Sequence, residues 1–314
     1  MTADARAGGT GHAPQSALVW TSLAILWVAL GSTYLAIAYM VAEMPLLLAI
    51  GLRYLASAVI LGAYLTLRRG PRALLRPGPE IKRGVFEGVL LIGAGNAGVC
   101  LAERHVPSGV VAMIVSMLSI WVALLRARFA SRPSAMTLVG VAVGFGGVAA
   151  IVLSGSRASN ITSGTGSVVL WSLTVVFGSL GWACGSFFGP RFSPTRDAVA
   201  GAFWQVLAGG TLMTVLGLLT GEQVSGFAQA SPRAWWSVLY LVIVGSVIAQ
   251  TAYAWLLSSG TSLSLIATYA YVNPVIAVAL GVWFLSEHVT AAALLGGGLV
   301  LAAIALVTRG ERQG

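Results

Sequence analysis

The side chains in this chain that could do chemistry are few, uncharged and set inside long apolar runs. Between Ser262 and Glu287, Tyr269, Tyr271, Asn273 and Pro274 interrupt 24 residues that are otherwise nearly all apolar. Asn96 sits in a glycine-rich GAGNAG run, and Gln250 and Tyr253 stand one helical turn apart. Trp27, Tyr34 and Trp182 add aromatic faces. Amides, phenols and indoles hydrogen-bond and stack; they suit recognition better than bond-breaking. A buried amide without a partner is costly. Asn96, Gln250 and Asn273 are therefore either glue between helices or groups that meet a ligand, and three amides on three different runs favour a shared cavity. Pro274 has no N–H for the Ala270 carbonyl. At bilayer depth a freed carbonyl is tolerated against protein or a water-filled cavity, so a packing kink and a pathway-lining helix both stay open.

The elements that must position these groups are membrane helices. Of 314 residues, 57% are hydrophobic and 9% charged, and mean hydropathy is +0.89. A soluble domain carries about 25% charged residues. Apolar runs fall near 17–41, 45–67, 84–104, 107–129, 135–154, 166–189, 198–219, 234–257, 262–285 and 289–308. About 20 residues cross a bilayer, so the fold class is an all-α membrane protein of ten spans. The net charge of +9 comes from Lys and Arg spread through the connections, which argues for the lipid bilayer as partner and against nucleic acid. Fourteen of the 18 fall on one side if the N-terminus is cytoplasmic, three on the other, and Arg53 lies within a span. That bias puts both termini in the cytoplasm.

The chain also repeats. SLAILWVALG at Ser22–Gly31 and SLTVVFGSLG at Ser172–Gly181 share Ser, Leu, Leu and Gly in register, 150 residues apart. Five spans separate the copies, so the second is inverted, a build common in secondary transporters. The expected organisation is a disordered tail at 1–16, a first repeat at 17–154, an external linker at 155–165, a second repeat at 166–308 and a tail at 309–314. Tight turns at Val106-Pro107-Ser108-Gly109 and Ser258-Ser259-Gly260-Thr261 make helical hairpins that open toward opposite faces. Pro107, Gly109, Gly260 and Pro274 are the candidate gating positions.

Trp27, Gly31, Tyr34 and Ala38 share a helical face that could form a slot for a flat side chain. Phe177, Gly181 and Cys184, with Gly178 and Trp182 adjoining, form the matching face of span six. The candidate binding set is Trp27, Tyr34, Asn96, Trp182, Gln250, Tyr253, Tyr269 and Asn273. Arg53 and Glu87 are expected to snorkel toward the membrane surfaces, with a proton-coupling acid as the other reading of Glu87. Glu103, His105, Glu287 and His288 cluster at outer ends, where a solvated rim is the default reading and an outer pH gate stays open; Trp235, Trp236 and Tyr240 read as an interface belt. Gly144, Gly146, Gly147 and Gly296–Gly298 read as close-packing surfaces. Cys100 and Cys184 read as small packing residues.

Several segments resemble the EamA family of the drug/metabolite transporter superfamily. They are Gly31-Ser32-Thr33-Tyr34-Leu35, Gly93-Ala94-Gly95-Asn96, Ala102-Glu103, Val106-Pro107-Ser108-Gly109, Gly245-Ser246, Tyr269-Ala270-Tyr271-Val272-Asn273-Pro274-Val275 and Ser286-Glu287. The resemblance implies a 5+5 inverted fold and export of amino acids or other metabolites; the family includes an exporter of aromatic amino acids. Leu30, Ser119 and Ser131 depart from the family pattern in the first half.

The expectation is a secondary exporter of a small molecule with a sizeable apolar part, working as a single copy, without cofactor, metal or catalytic residue. Against an intramembrane enzyme stand the lack of an HExxH pair, of a GxSxG nucleophile and of paired intramembrane carboxylates. No filter sequence or charged ring argues for a channel. No phosphate loop argues for direct drive by ATP.

Overall fold

The computed structural model describes residues 12–75, 78–129, 134–158, 165–193, 197–266, 268–287 and 289–313, and all regular structure among them is helical. Helix is what a bilayer demands, because each backbone polar group finds its partner within the segment. Among the described residues, seven helices are long and apolar enough to cross: Ala17–Glu43, Leu46–Arg69, Gly78–Glu103, Ser108–Phe129, Val169–Phe192, Ala198–Leu219 and Pro232–Ser258. Shorter apolar helices at Ala135–Ile151, Val272–Leu285 and Ala291–Val307 occupy runs five, nine and ten. The helices are numbered as spans one to ten in chain order. The first helix begins at His12. The end of the 1–16 tail, expected to be disordered, is thus helical, while residues 1–11, Ser131 and His288 lie outside the described residues.

Local chemistry sets the ends. Asp197 caps span seven by accepting from the Val199 and Ala200 N–H groups, which have no carbonyl partner of their own. Pro107 precedes span four and Pro232 opens span eight behind its Ser231 cap. Gly260 turns span eight into span nine at φ 77°, a left-handed conformation that glycine adopts without cost.

The principal contacts form an ordered set. Span one packs on spans eight and nine, and span six on spans three and four. Two packs with seven, four with nine, and five with ten; three also touches seven, and eight touches two. Each pairing has its counterpart five spans on. Two π-helical stretches follow the same rule: Gly88–Asn96 in span three and Leu241–Ile248 in span eight begin 153 residues apart. π-helical turns widen a helix locally and are frequent at functional sites.

Glycines let the backbones approach. A Cβ on Gly147 would lie 2.8 Å from the Gly296 carbonyl, and one on Gly140 2.9 Å from that of Ala303, which locks span five to span ten. Gly146 and Gly298, also expected in this surface, face open space. In span three, Gly95 makes room for the Trp182 indole and Gly98 for the Thr174 backbone. The GAGNAG run is therefore where span three meets span six.

Spans four and nine are interrupted, between Val115 and Leu118 and between Ile266 and Tyr269. The break in span nine thus precedes Pro274, which lies inside the helix Tyr269–Leu285. The Ala270 carbonyl accepts from the Ser116 hydroxyl of span four, so it is paired with protein.

Candidate functional site

Spans one, three, four, six and nine converge on a cavity of about 50 Å³. Tyr34, Asn96, Trp182, Tyr269 and Asn273 line it together. They come from spans one, three, six and nine, and Asn96 is the last residue of a π-helical stretch. Asn273 is 2% exposed. Its Oδ1 is buried with no partner in the protein. Asn96 Oδ1 accepts only a long contact of 3.6 Å from the Cys100 thiol. Two amide oxygens beside one cavity thus retain capacity to accept from a ligand.

Behind the cavity wall an aromatic chain fixes the indole. Trp182 Nε1 donates to the Tyr253 hydroxyl at 3.3 Å, and that hydroxyl shares a 2.7 Å hydrogen bond with Ser186. Tyr253 also stands edge-on to Trp182 and to Tyr269, at centroid distances of 6.0 and 6.2 Å. Tyr253 does not line the cavity; it braces two residues that do.

Other expected members lie elsewhere. Gln250 is 2% exposed, is placed beside Tyr54 of span two and is absent from the lining. Trp27 is also outside the lining. The expected slot at Gly31 is filled, because a Cβ there would lie 2.9 Å from that of Ile276. Span one instead presents Leu30, Thr33, Tyr34 and Ile37, a face turned slightly from the expected one. Phe177 is 65% exposed and points away from the helix bundle. Ser179, which accepts from Trp121 Nε1 at 3.1 Å, joins the lining in its place. Thr33 and Ser179 were missed, although Ser179 stands three residues before Trp182 and so shares its face.

Pro107 is exposed at the turn before span four, and a Cβ on Gly109 would lie 2.8 Å from Val278. Gly109 is thus a contact point between spans four and nine. Gly260 has open space around it.

The charged groups depart most from expectation. Arg53 does not snorkel: it is 2% exposed, donates from Nε to Ser246 Oγ at 2.9 Å and lies 4.7 Å from the Tyr54 ring centre. Ser246 belongs to the second π-helical stretch. Glu87 is 4% exposed and accepts from Arg83 Nε at 2.8 Å. Glu287 is no solvated rim residue, for it accepts from the Ser108 N–H at 2.8 Å and the Gly109 N–H at 3.3 Å. The interface belt is mixed: Trp235 and Trp236 are exposed, whereas the Tyr240 hydroxyl reaches Ser32 at 2.6 Å. Cys100 and Cys184 are unpaired thiols.

The cavity can hydrogen-bond and stack against a ligand. Among the described residues, no His, Cys, Asp and Glu cluster could hold a metal ion. At about 50 Å³ the cavity is smaller than the roughly 300–1,000 Å³ of a small-molecule pocket.

Comparison with known proteins places this geometry in context. The EamA-like transporter family profile matches residues 169–309. The chain is 32% identical over 291 residues to the uncharacterised inner membrane transporter YedA of Escherichia coli (strain K12), covering 92% of this chain and 89% of that one. It is 28% identical over 257 residues to a probable terminal-alkyne amino-acid exporter of Streptantibioticus cattleyicolor, covering 81% and 82%. A solved crystal structure, 18% identical, superposes with a TM-score of 0.66 over 95% of this chain and 98% of its own, a likeness of fold.

Proposed function

The chain belongs to the EamA-like transporter family of inner-membrane proteins, and from that premise we propose that it exports small, largely apolar metabolites, aromatic amino acids above all. The observation that carries this reading is the cavity in which Tyr34, Trp182 and Tyr269 stand beside the open amide oxygens of Asn96 and Asn273. Flat rings accept an apolar side chain, and neutral amides meet an amino-acid head without an intramembrane charge. The amino-acid exporter of Streptantibioticus cattleyicolor lends support to this class of substrate.

The transport cycle we assign is alternating access between two inverted halves, residues 17–154 and 166–308. Its support is the set of helix pairings that recurs five spans on, together with the paired π-helical stretches. The hairpins of spans three and four and of spans eight and nine are the gates, turning at Pro107 and Gly260. The distribution of Lys and Arg supports cytoplasmic termini.

Counterflow in proteoliposomes tests the function. Vesicles preloaded with unlabelled phenylalanine, tyrosine or tryptophan should take up the labelled compound faster than empty ones, and preloading with glutamate or lysine should not. Equal uptake by preloaded, empty and protein-free vesicles across the panel would reject the substrate class.

A further inference from the structure

One carboxyl group beside the site has no assigned task. Glu103 ends span three, and both of its carboxylate oxygens are wholly buried and accept no hydrogen bond. Its neighbours include Arg53 of span two, Glu287 after span nine, Tyr34 of span one and Cys100 of span three. None of the nearby charged groups bonds it. Arg53 gives Nε to Ser246, Arg104 donates to the Val41 and Met44 carbonyls, and Glu287 is held by Ser108 and Gly109. Span six meets this end of span three through Trp171, stacked on His105 at 4.4 Å, and Thr174.

This end of the bundle is also shut. Glu43 of span one accepts from Ser231 ahead of span eight. Glu222 after span seven accepts from Leu47 and Leu48 of span two, and Glu287 makes the third such crossing, to span four. Three carboxylates thus tie the first five spans to the last five, and water is kept from Glu103. An ionised carboxylate without a donor is among the costliest groups to bury, whereas the neutral acid is far cheaper. Acidic residues within membrane helices characteristically mark ion and proton pathways.

We propose that Glu103 is a proton-binding site: it holds a proton in the closed arrangement and releases it when the Pro107 end parts and water reaches the carboxylate. The group cycles between carboxylic acid and carboxylate plus a free proton. Arg53, whose Nη1 is buried and unpartnered, supplies the facing charge once the proton has left. Proton binding stands on its own; its coupling to solute movement rests on the transport reading above.

Infrared spectroscopy of the purified protein tests the binding. At neutral pH the wild type should show a protonated-carboxyl band that shifts in D₂O, is lost in Glu103→Gln and is kept in Glu87→Gln. A pH jump in weakly buffered detergent solution should move about one proton fewer in Glu103→Gln, the stoichiometry of one carboxyl group. A band absent from wild type, or surviving in Glu103→Gln, overturns the proposal. Should Glu103→Gln fail to fold, the Glu87→Gln protein decides, since its band must be present at neutral pH and vanish on alkaline titration. In proteoliposomes with labelled phenylalanine, Glu103→Gln should keep exchange and lose accumulation driven by a pH gradient; unaltered accumulation overturns the coupling. If wild type moves no compound of the panel, the substrate reading falls, while the infrared and proton-count results still decide the site.

Discussion

The Ser116 hydroxyl lies 2.7 Å from the Ala270 carbonyl oxygen and donates to it. Span four thereby supplies the hydrogen bond that Pro274 denies span nine. The proline is tolerated because a neighbouring helix satisfies the freed carbonyl, which is how membrane helices accommodate such residues.

A double-mutant cycle follows from that contact. Ser116→Ala should strand the buried carbonyl and lower stability by about 1–3 kcal/mol. Pro274→Ala restores an N–H to the ladder, so the double variant should recover much of that loss. Thermal unfolding in detergent gives the comparison; equal losses for Ser116→Ala in both backgrounds would mean the hydroxyl is not the partner that matters.

Tyr253 gives a prediction of a different kind. Its hydroxyl accepts from the Trp182 indole, yet its ring stands behind the cavity wall. Tyr253→Phe should weaken substrate binding several-fold, as expected of one lost hydrogen bond worth about 1 kcal/mol, and leave expression intact. Unchanged affinity would show that the indole keeps its place without that bond.

The interface of spans five and ten separates two adjacent glycines. Gly147→Ala puts a methyl group against the Gly296 carbonyl and should cost roughly 1–3 kcal/mol. Gly146→Ala meets nothing within 4 Å and should be neutral, or stabilising by up to about 1 kcal/mol through helix propensity. Thermal unfolding midpoints of the two variants should differ in that order.

Much of this was legible in the sequence, and the pattern of success has a physical cause. Tyr34, Asn96, Trp182, Tyr269 and Asn273 could be picked out because polar and aromatic groups at bilayer depth need a purpose, and these five do share a cavity. Gln250 satisfies the same criterion, yet it is buried beside Tyr54 of span two and outside the lining. Sequence shows that an amide needs a partner, and only packing shows which one it finds. Trp27 and Phe177 failed because a slight rotation of a helix separates a cavity face from a packing or lipid face. Arg53 and Glu103 were misjudged because distance along the helix from the membrane surface does not reveal whether a neighbouring helix covers the charge.

Topology is open to direct measurement. In a background lacking Cys100 and Cys184, a cysteine placed at Asn160 should react with a membrane-impermeant reagent from outside whole cells. One at Leu74, in the short helix Pro71–Leu74, should react only after the membrane is opened. The reverse pattern would invert the assignment.

The central claim is that the cavity between spans one, three, four, six and nine holds the substrate. Calorimetric titration of purified protein with phenylalanine, tyrosine and tryptophan tests it most directly, comparing wild type with Asn273→Ala, Tyr269→Ala and Trp182→Ala. Phe177→Ala, on the exposed face of span six, is the control. Losing one buried hydrogen bond costs on the order of 1 kcal/mol, so Asn273→Ala should weaken binding several-fold. The two aromatic truncations should do so at least as strongly, and the control should bind like wild type. Wild-type affinity in all three cavity variants would contradict the account.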